Sequence, residues 1–326
     1  MKPRTLITGA AGFIGSNLAH FLLERGEEVY GLDDLSTGSR GNVEDLEKNS
    51  GFHFETGSIL DEEPLKRLVG TVNSVYHLAA AVGVKYILQR PFESLETNVE
   101  GTRNVLRCAL LYRKRVLVTS SSEVYGKNPR MPLSEEDDRV LGATQSSRWS
   151  YSGAKALDEF MALAAHRTRG LDVRIARLFN VVGPGQTGRY GMVLPTFVSQ
   201  ALEGRPITVY GDGSQTRTFC HVQDAVEALY AMMQSEKAAG EIINVGGGEE
   251  ITIRGLAERV KKMLASDSPV SVVSYREAYG EGFDDMPRRV PSLEKAARLL
   301  DWRPQRTLDD AIRDTADFIS SRKEIT

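Results

Sequence analysis

"RTLITGAAGFIGSNLAHFLLERGEEVYGLDD", residues 4–34, reads as strand, turn, helix, strand. "RTLIT" (4–8) is a short β-prone run, and Gly9, Gly12 and Gly15 follow it in close succession. The apolar residues of "FIGSNLAHFLLERG" then recur at spacings of three and four, the period of a helix with one buried face. Gly26 stands where a helix C-cap belongs, and "EEVYGLD" (27–33) is a second strand. A tight strand-to-helix turn needs a residue with free φ, and a helix packed close on a sheet needs one without a Cβ. Glycine meets both needs. It also leaves room for a pyrophosphate to approach the backbone, where the helix N-terminus offers unpaired N–H groups.

A glycine triplet alone also marks an ordinary turn, so the residue that follows it matters. Asp33 ends the second strand, where an acid accepts the ribose hydroxyls of a dinucleotide. The competing reading is a solvated turn acid. Asp34 comes next and no arginine is adjacent to hold a 2′-phosphate, which favours NAD over NADP.

Outward from this unit the alternation continues. "SVYHLAA" (74–80), "RVLVTSS" (115–121) and "DVRIARL" (172–178) read as buried strands, and "ESLETNVEGTRNVLRCALLYR" and "YSGAKALDEFMALAAHRTRG" as helices, with Gly170 at a C-cap. Strand and helix in repetition predict an α/β fold with a doubly wound parallel sheet over residues 1–180. After 180 the texture changes to "NVVGPGQTGRYG" and "YGDGSQTRT", and a smaller α/β substrate-binding domain is expected over 181–326. "EIINVG" (241–246) reads as one more buried strand, so segments around 222–265 are expected to return to the first domain.

Composition narrows the partners. The chain has 326 residues, 41% of them hydrophobic, which is enough for a real core. Forty-four acids against forty-one bases leave a net charge of −3 with no basic stripe, which argues against nucleic acid. No run approaches the about 20 apolar residues of a membrane span. Cys108 and Cys220 are too few for a disulfide framework and lack zinc-site spacing, which fits a reducing cytoplasm. Cys108 lies on an apolar helix stripe, Cys220 follows "RTF", and both read as packing residues; His77 and His221 read as structural imidazoles. Small molecules remain as the expected partners.

Tyr151 and Lys155, in "YSGAK", are i and i+4 on a helix and project to one side. A phenol with a pKa of about 10 is a poor base at neutral pH, and a neighbouring ammonium favours the phenolate. Such a phenolate can take a proton from a sugar hydroxyl as hydride leaves the same carbon. The preceding strand ends in "TSSSEVYG", which sets Ser120, Ser121, Ser122 and Glu123 at the carboxyl edge of the sheet, where ligands of open α/β folds bind. Those serines also suit the mere start of a loop.

The Gly-x-x-Gly-x-x-Gly turn, the ribose-binding Asp, "HLAA", the serine-rich strand end and Tyr-x-x-x-Lys, in this order, resemble the extended short-chain dehydrogenase/reductase family. Within it they are similar to the NAD-dependent nucleotide-sugar epimerases, dehydratases and decarboxylases, which have a Rossmann fold. "GDGSQTRTFCHVQD" and "EGFDDMPRRVPSLEKAARLLDWRP" extend the resemblance into the C-terminal part. It implies NAD contacts at Gly9, Gly12, Phe13, Ile14, Gly15, Asp33, Gly38, Ile59, Leu78, Ala79, Ala80 and Ser120, with Tyr151 as base and Lys155 on the nicotinamide ribose. Asn98 and Lys85 would lie around the cofactor, Lys85 on the substrate side. Ser58 departs from the pattern, standing where many relatives use an Asp for adenine.

The resemblance further implies that Ser121 or Ser122 supports the sugar 4-hydroxyl. Asn180 and Arg217 would hold the substrate diphosphate, Val193 and Tyr210 the uracil, and Asp285 the uridine ribose. Every member begins by oxidising the 4-hydroxyl to a ketone. Ser122 stands where dehydratases place an Asp, which disfavours dehydration. "TSSSEVYG" and "RRVPS" resemble UDP-glucuronate decarboxylases, with Glu123 and Arg289 as their Glu and Arg, although the arginine that many of them carry after Gly-Pro is absent. Arg189 could grip a C6 carboxylate with two parallel hydrogen bonds, or be an exposed loop arginine. The expected reaction is 4-epimerisation of UDP-glucuronate or UDP-glucose, with UDP-glucuronate decarboxylation second and a catalytically silent dinucleotide sensor as the alternative of another class. Relatives dimerise through two helices per subunit, here 92–113 and 151–168, so a homodimer is expected.

Overall fold

The β-prone run Arg4–Thr8 forms β1, and the glycines behind it turn the chain into α1 (Phe13–Glu24). The alternation continues through β2 (Glu28–Asp33), β3 (Phe52–Thr56), α2 (Glu62–Thr71), β4 (Ser74–His77), α3 (Val84–Gln89), α4 (Pro91–Tyr112), β5 (Arg115–Ser121), α5 (Ser150–Arg169) and β6 (Val173–Leu178). Shorter elements follow: β7 (Val181–Val182), α6 (Val193–Leu202), β8 (Ile207–Tyr210), β9 (Thr216–Thr218), β10 (Cys220–His221), α7 (Val222–Gln234), β11 (Ile242–Val245), β12 (Glu250–Thr252) and α8 (Ile253–Met263). The chain ends with β13 (Val270–Val273), α9 (Tyr275–Tyr279), β14 (Arg288–Arg289), α10 (Glu294–Leu300) and α11 (Leu308–Lys323). This computed structural model describes residues 2–188, 191–279 and 286–323, apart from the side chains of residues 84, 85, 279 and 323.

Seven strands form one parallel sheet in the order β11, β6, β5, β4, β1, β2, β3. The doubly wound architecture read from the sequence is present, with the strand order reversing between β1 and β4. That switch point opens a crevice at the carboxyl ends of the strands. β11 pairs with β6, Ile243 opposite Ala176, while α8 packs against α6 away from the sheet. β3 was not anticipated. It is an edge strand, "FHFET", with only Phe52 buried, and its His and Glu residues mask the apolar pattern.

Alternation along the strands divides the core. Leu6 joins Val75, Val118, Leu65, Val105 and Ala162 under α2, α4 and α5, whereas its neighbour Ile7 joins Leu18, Leu22, Val226 and Leu229 under α1 and α7. Both faces of the sheet are thus covered. A separate cluster that includes Leu194, Phe197, Leu256, Val260 and Ile312 builds the second lobe from α6, α8 and α11. The lobes flank the crevice.

Candidate active site

A cleft of about 1180 Å³ runs from the glycine turn, past the ends of β4 and β5, into the second lobe. At one end Gly9 has φ +75°, and an added Cβ there would lie 2.7 Å from the Ala79 nitrogen. A Cβ on Gly15 would overlap the Gly9 carbonyl oxygen. The turn therefore requires glycine for its own packing, and Gly12, Phe13 and Ile14 complete the wall.

Asp33 accepts hydrogen bonds from the Ala11 N–H at 2.9 Å and the Leu35 N–H at 2.8 Å, which fixes the acid beside the glycine turn. Burial pushes its carboxyl above the usual range, against those backbone bonds. A Cβ at Gly38 would come within 2.8 Å of that carboxylate. Of the two basic residues in the loop after β2, Arg40 pairs with Glu47 at 2.7 Å and Lys48 with Asp45 at 2.6 Å. A glycine cradle at a helix N-terminus with a buried ribose acceptor beside it fits a dinucleotide without a 2′-phosphate.

Ile59, Leu78, Ala79 and Ala80 line the same end. Ser58 and Asn98 are not among the lining residues. Ser58 Oγ accepts from the Leu60 N–H, and Asn98 is buried behind the wall, pairing with both backbone groups of Ala81. The side chain of Lys85 lies outside the described residues.

Tyr151 opens α5, anchored where the Ser152 hydroxyl donates to the Glu123 carbonyl at 2.7 Å. Ser121 lies beside the Tyr151 phenol and favours its ionised form. Its neighbour Ser120, on the next strand position, donates instead to Glu159 at 2.6 Å, and Arg177 clasps that carboxylate with two nitrogens. Lys155 is buried one helical turn from Tyr151 and donates to the Thr119 carbonyl at 3.0 Å and to Asp158 at 3.2 Å.

Burial, then Glu123 and Asp158, raise the phenol above its ordinary pKa, and Ser121 opposes them. The Lys155 ammonium, expected to stabilise a phenolate by itself, is balanced by Asp158.

Glu123 carries the largest local charge cluster. Arg148 Nη1 donates to one of its oxygens at 2.6 Å and Arg289 Nη1 to the other at 2.6 Å. Arg289 also reaches the Ser122 hydroxyl at 3.2 Å. Burial opposes the ionised form, but Arg289 and then Arg148 outweigh it and lower the Glu123 carboxyl to about 2. A carboxylate held this way is neither a proton donor nor an effective base near neutral pH. Both guanidinium groups and the carboxylate line the cleft beyond Tyr151.

In the second lobe Asn180, Val193, Tyr210, Arg217 and Arg289 all line the cleft. Asn180 holds a left-handed φ of +37° and donates to the Thr218 carbonyl at 2.8 Å, an uncommon backbone state for a residue other than glycine. Arg189 and Asp285 lie outside the described residues. Two residues at the site were missed from sequence: Arg148, three positions before Tyr151, and Asp158, three after Lys155. The first carried a usable signal in that spacing. Cys108 and Cys220 are buried thiols, as read, and His77 and His221 are both hydrogen-bonded.

The family model described as GDP-mannose 4,6 dehydratase matches residues 6–315. A UDP-N-acetyl-alpha-D-glucosaminuronate decarboxylase from Bacillus cytotoxicus is 42% identical over 319 residues, 98% of each chain. UDP-glucuronic acid decarboxylase 1 of Xenopus tropicalis is 35% identical, over 99% of this chain and 73% of the relative. Among solved structures, UDP-glucuronic acid 4-epimerase from Bacillus cereus, in complex with UDP-glucuronic acid and NAD, superposes with a TM-score of 0.88 at 29% identity, over 98% of this chain and 99% of that one.

Proposed function

The chain belongs to the extended short-chain dehydrogenase/reductase family of NAD-dependent nucleotide-sugar epimerases, dehydratases and decarboxylases, and we propose that it decarboxylates a UDP-hexuronate through a 4-keto sugar. The observation that carries this reading is the Arg148–Glu123–Arg289 cluster at the sugar end of the cleft. Dehydration needs an acid for the departing 6-hydroxyl and a base at C5. Ser122 is no such acid, and Glu123, held ionised by two arginines, is a poor base.

Decarboxylation asks less of the protein. Bound in the cleft, NAD supplies a reversible acceptor for the hydrogen at C4. Tyr151 takes the 4-hydroxyl proton, with Ser121 sharing that oxygen, and Lys155 keeps its third N–H for the cofactor ribose. Once C4 is a ketone, a C6 carboxylate is β to it. The C5–C6 bond breaks, carbon dioxide leaves, and the electron pair passes into the enolate at C4 and C5. A proton from solvent at C5, the hydrogen back at C4 and the proton that Tyr151 returns to O4 complete the product. Arg148 and Arg289 on the cleft wall offer guanidinium donors that suit a C6 carboxylate better than a neutral hexose.

Epimerisation shares every step up to the ketone and stands second. It requires the ketosugar to turn over before the carboxylate leaves. The two decarboxylases at 42% and 35% identity support the first outcome. Incubation with UDP-N-acetylglucosaminuronate and with UDP-glucuronate, read by product mass, tests the proposal. A product lighter by one carbon dioxide supports it, and a product of unchanged mass makes the protein an epimerase.

We further propose a homodimer through α4 and α5, whose exposed apolar residues include Phe92, Leu111, Leu157 and Phe160. Among the described residues no helix is long and apolar enough to cross a membrane.

A further inference from the structure

Behind the catalytic pair lies a string of buried polar side chains that the reaction above does not use. The Ala79 N–H donates to Thr8 Oγ1 at 3.3 Å, Thr8 Oγ1 lies 2.8 Å from His77 Nδ1, and His77 Nε2 lies 3.0 Å from Thr102 Oγ1. Thr102 lies beside Asp158, whose Oδ2 pairs with Lys155 at 3.2 Å and whose Oδ1 has no partner among the described residues; burial raises the Asp158 carboxyl, against Lys155 and then Thr102. Asp158 is 0% exposed and Lys155 2%.

His77 is neutral: its burial, reinforced by Lys155, lowers its pKa to about 3. Next to Lys155, Asp158 is thus the nearest carboxylate with a direct contact to the ammonium.

We propose that Asp158 is a positioning residue that holds Lys155 in place and balances its charge, and so sets the pH at which Tyr151 becomes a base. The assignment rests on Tyr151 and Lys155 being the catalytic pair, but not on which product forms. Lys155 has three N–H groups; Thr119 and Asp158 take two and leave the third for the cofactor. The charge balance has an opposite sign to the usual help from a lysine: with Asp158 ionised, Lys155 contributes little net field at the phenol.

Other charged groups around this point are already engaged. Glu123, from the turn after β5, faces Tyr151 and is held by Arg148 and Arg289. Glu159 on α5 is clasped by Arg177 of β6, and His77 of β4 is neutral. α4 presents the Thr102 hydroxyl, while its Arg103 pairs with Glu100 and its Arg107 with Glu62 on the exposed side. Asp158 is therefore the group whose removal changes the charge next to Lys155 without disturbing another pair.

The test is Asp158→Asn in the NAD-bound protein, with Asp158→Ser as the smaller alternative. Tyrosinate formation is followed by ultraviolet difference absorbance against Tyr151→Phe, which needs no sugar substrate. Removal of the anion should lower the pKa of Tyr151 by about 1 unit or more, and the acid limb of kcat/KM should move down by the same amount. An unshifted titration in a folded, NAD-retaining variant, with only turnover or stability lost, overturns the proposal. So does failure of both variants to fold, which would make Asp158 structural. A shifted titration without decarboxylation of any UDP-hexuronate would leave this assignment standing and refute the proposed reaction.

Discussion

Arg289 Nη1 and Glu123 Oε1, 166 positions apart in the chain, meet at 2.6 Å inside the cleft. The contact ties the short strand β14 of the second lobe to the end of β5 in the first. Arg289→Ala leaves Glu123 with Arg148 alone, and breaking one side of a buried pair costs about 3–5 kcal/mol. Glu123 has a folded pKa depressed from 4.5 to about 2, so its stabilising contribution is present above the unfolded value and is lost as pH falls through that window. Thermal unfolding of Glu123→Gln should accordingly show less acid-side dependence between those two values than wild type. Equal dependence in both proteins would refute the clamp.

Tyr151→Phe removes the hydroxyl assigned to take the 4-hydroxyl proton while keeping the ring. Turnover should fall roughly 100- to 10,000-fold, with bound NAD retained. Steady-state rates together with cofactor released on denaturation check both halves, and undiminished turnover would remove Tyr151 from the mechanism.

Gly9→Ala places a Cβ at φ +75° and 2.7 Å from the Ala79 nitrogen. The left-handed backbone alone costs about 1–2 kcal/mol, and the clash adds to it. The variant should melt lower and be purified with less NAD than wild type. Full NAD content would show that the turn is not the cofactor cradle.

Phe160 is 62% exposed on α5, three positions from the exposed Leu157. Phe160→Glu should shift the protein from dimer to monomer in sedimentation velocity without lowering its melting temperature as a core substitution would. An unchanged sedimentation coefficient would place the subunit contact elsewhere.

The features legible from sequence are those set by local chemistry. Gly9, Gly15 and Asp33 announce a phosphate turn because backbone geometry admits few alternatives, and Tyr151 and Lys155 share a helix face by period alone. The edge strand β3 escaped because one buried Phe gives no period. Arg148 was hidden for a different reason: nothing near residue 148 shows that Glu123, 25 positions earlier, will fold against it. Nothing near residue 158 shows that the packing of α4 and α5 will remove Asp158 from water.

The most direct measurement uses UDP-hexuronate carrying deuterium at C4 and carbon-13 at C6, followed by NMR through complete turnover. The account predicts that all carbon-13 appears as carbon dioxide while deuterium stays at C4 of the product, returned from tightly held cofactor. Carbon-13 remaining in a sugar of unchanged mass would contradict it.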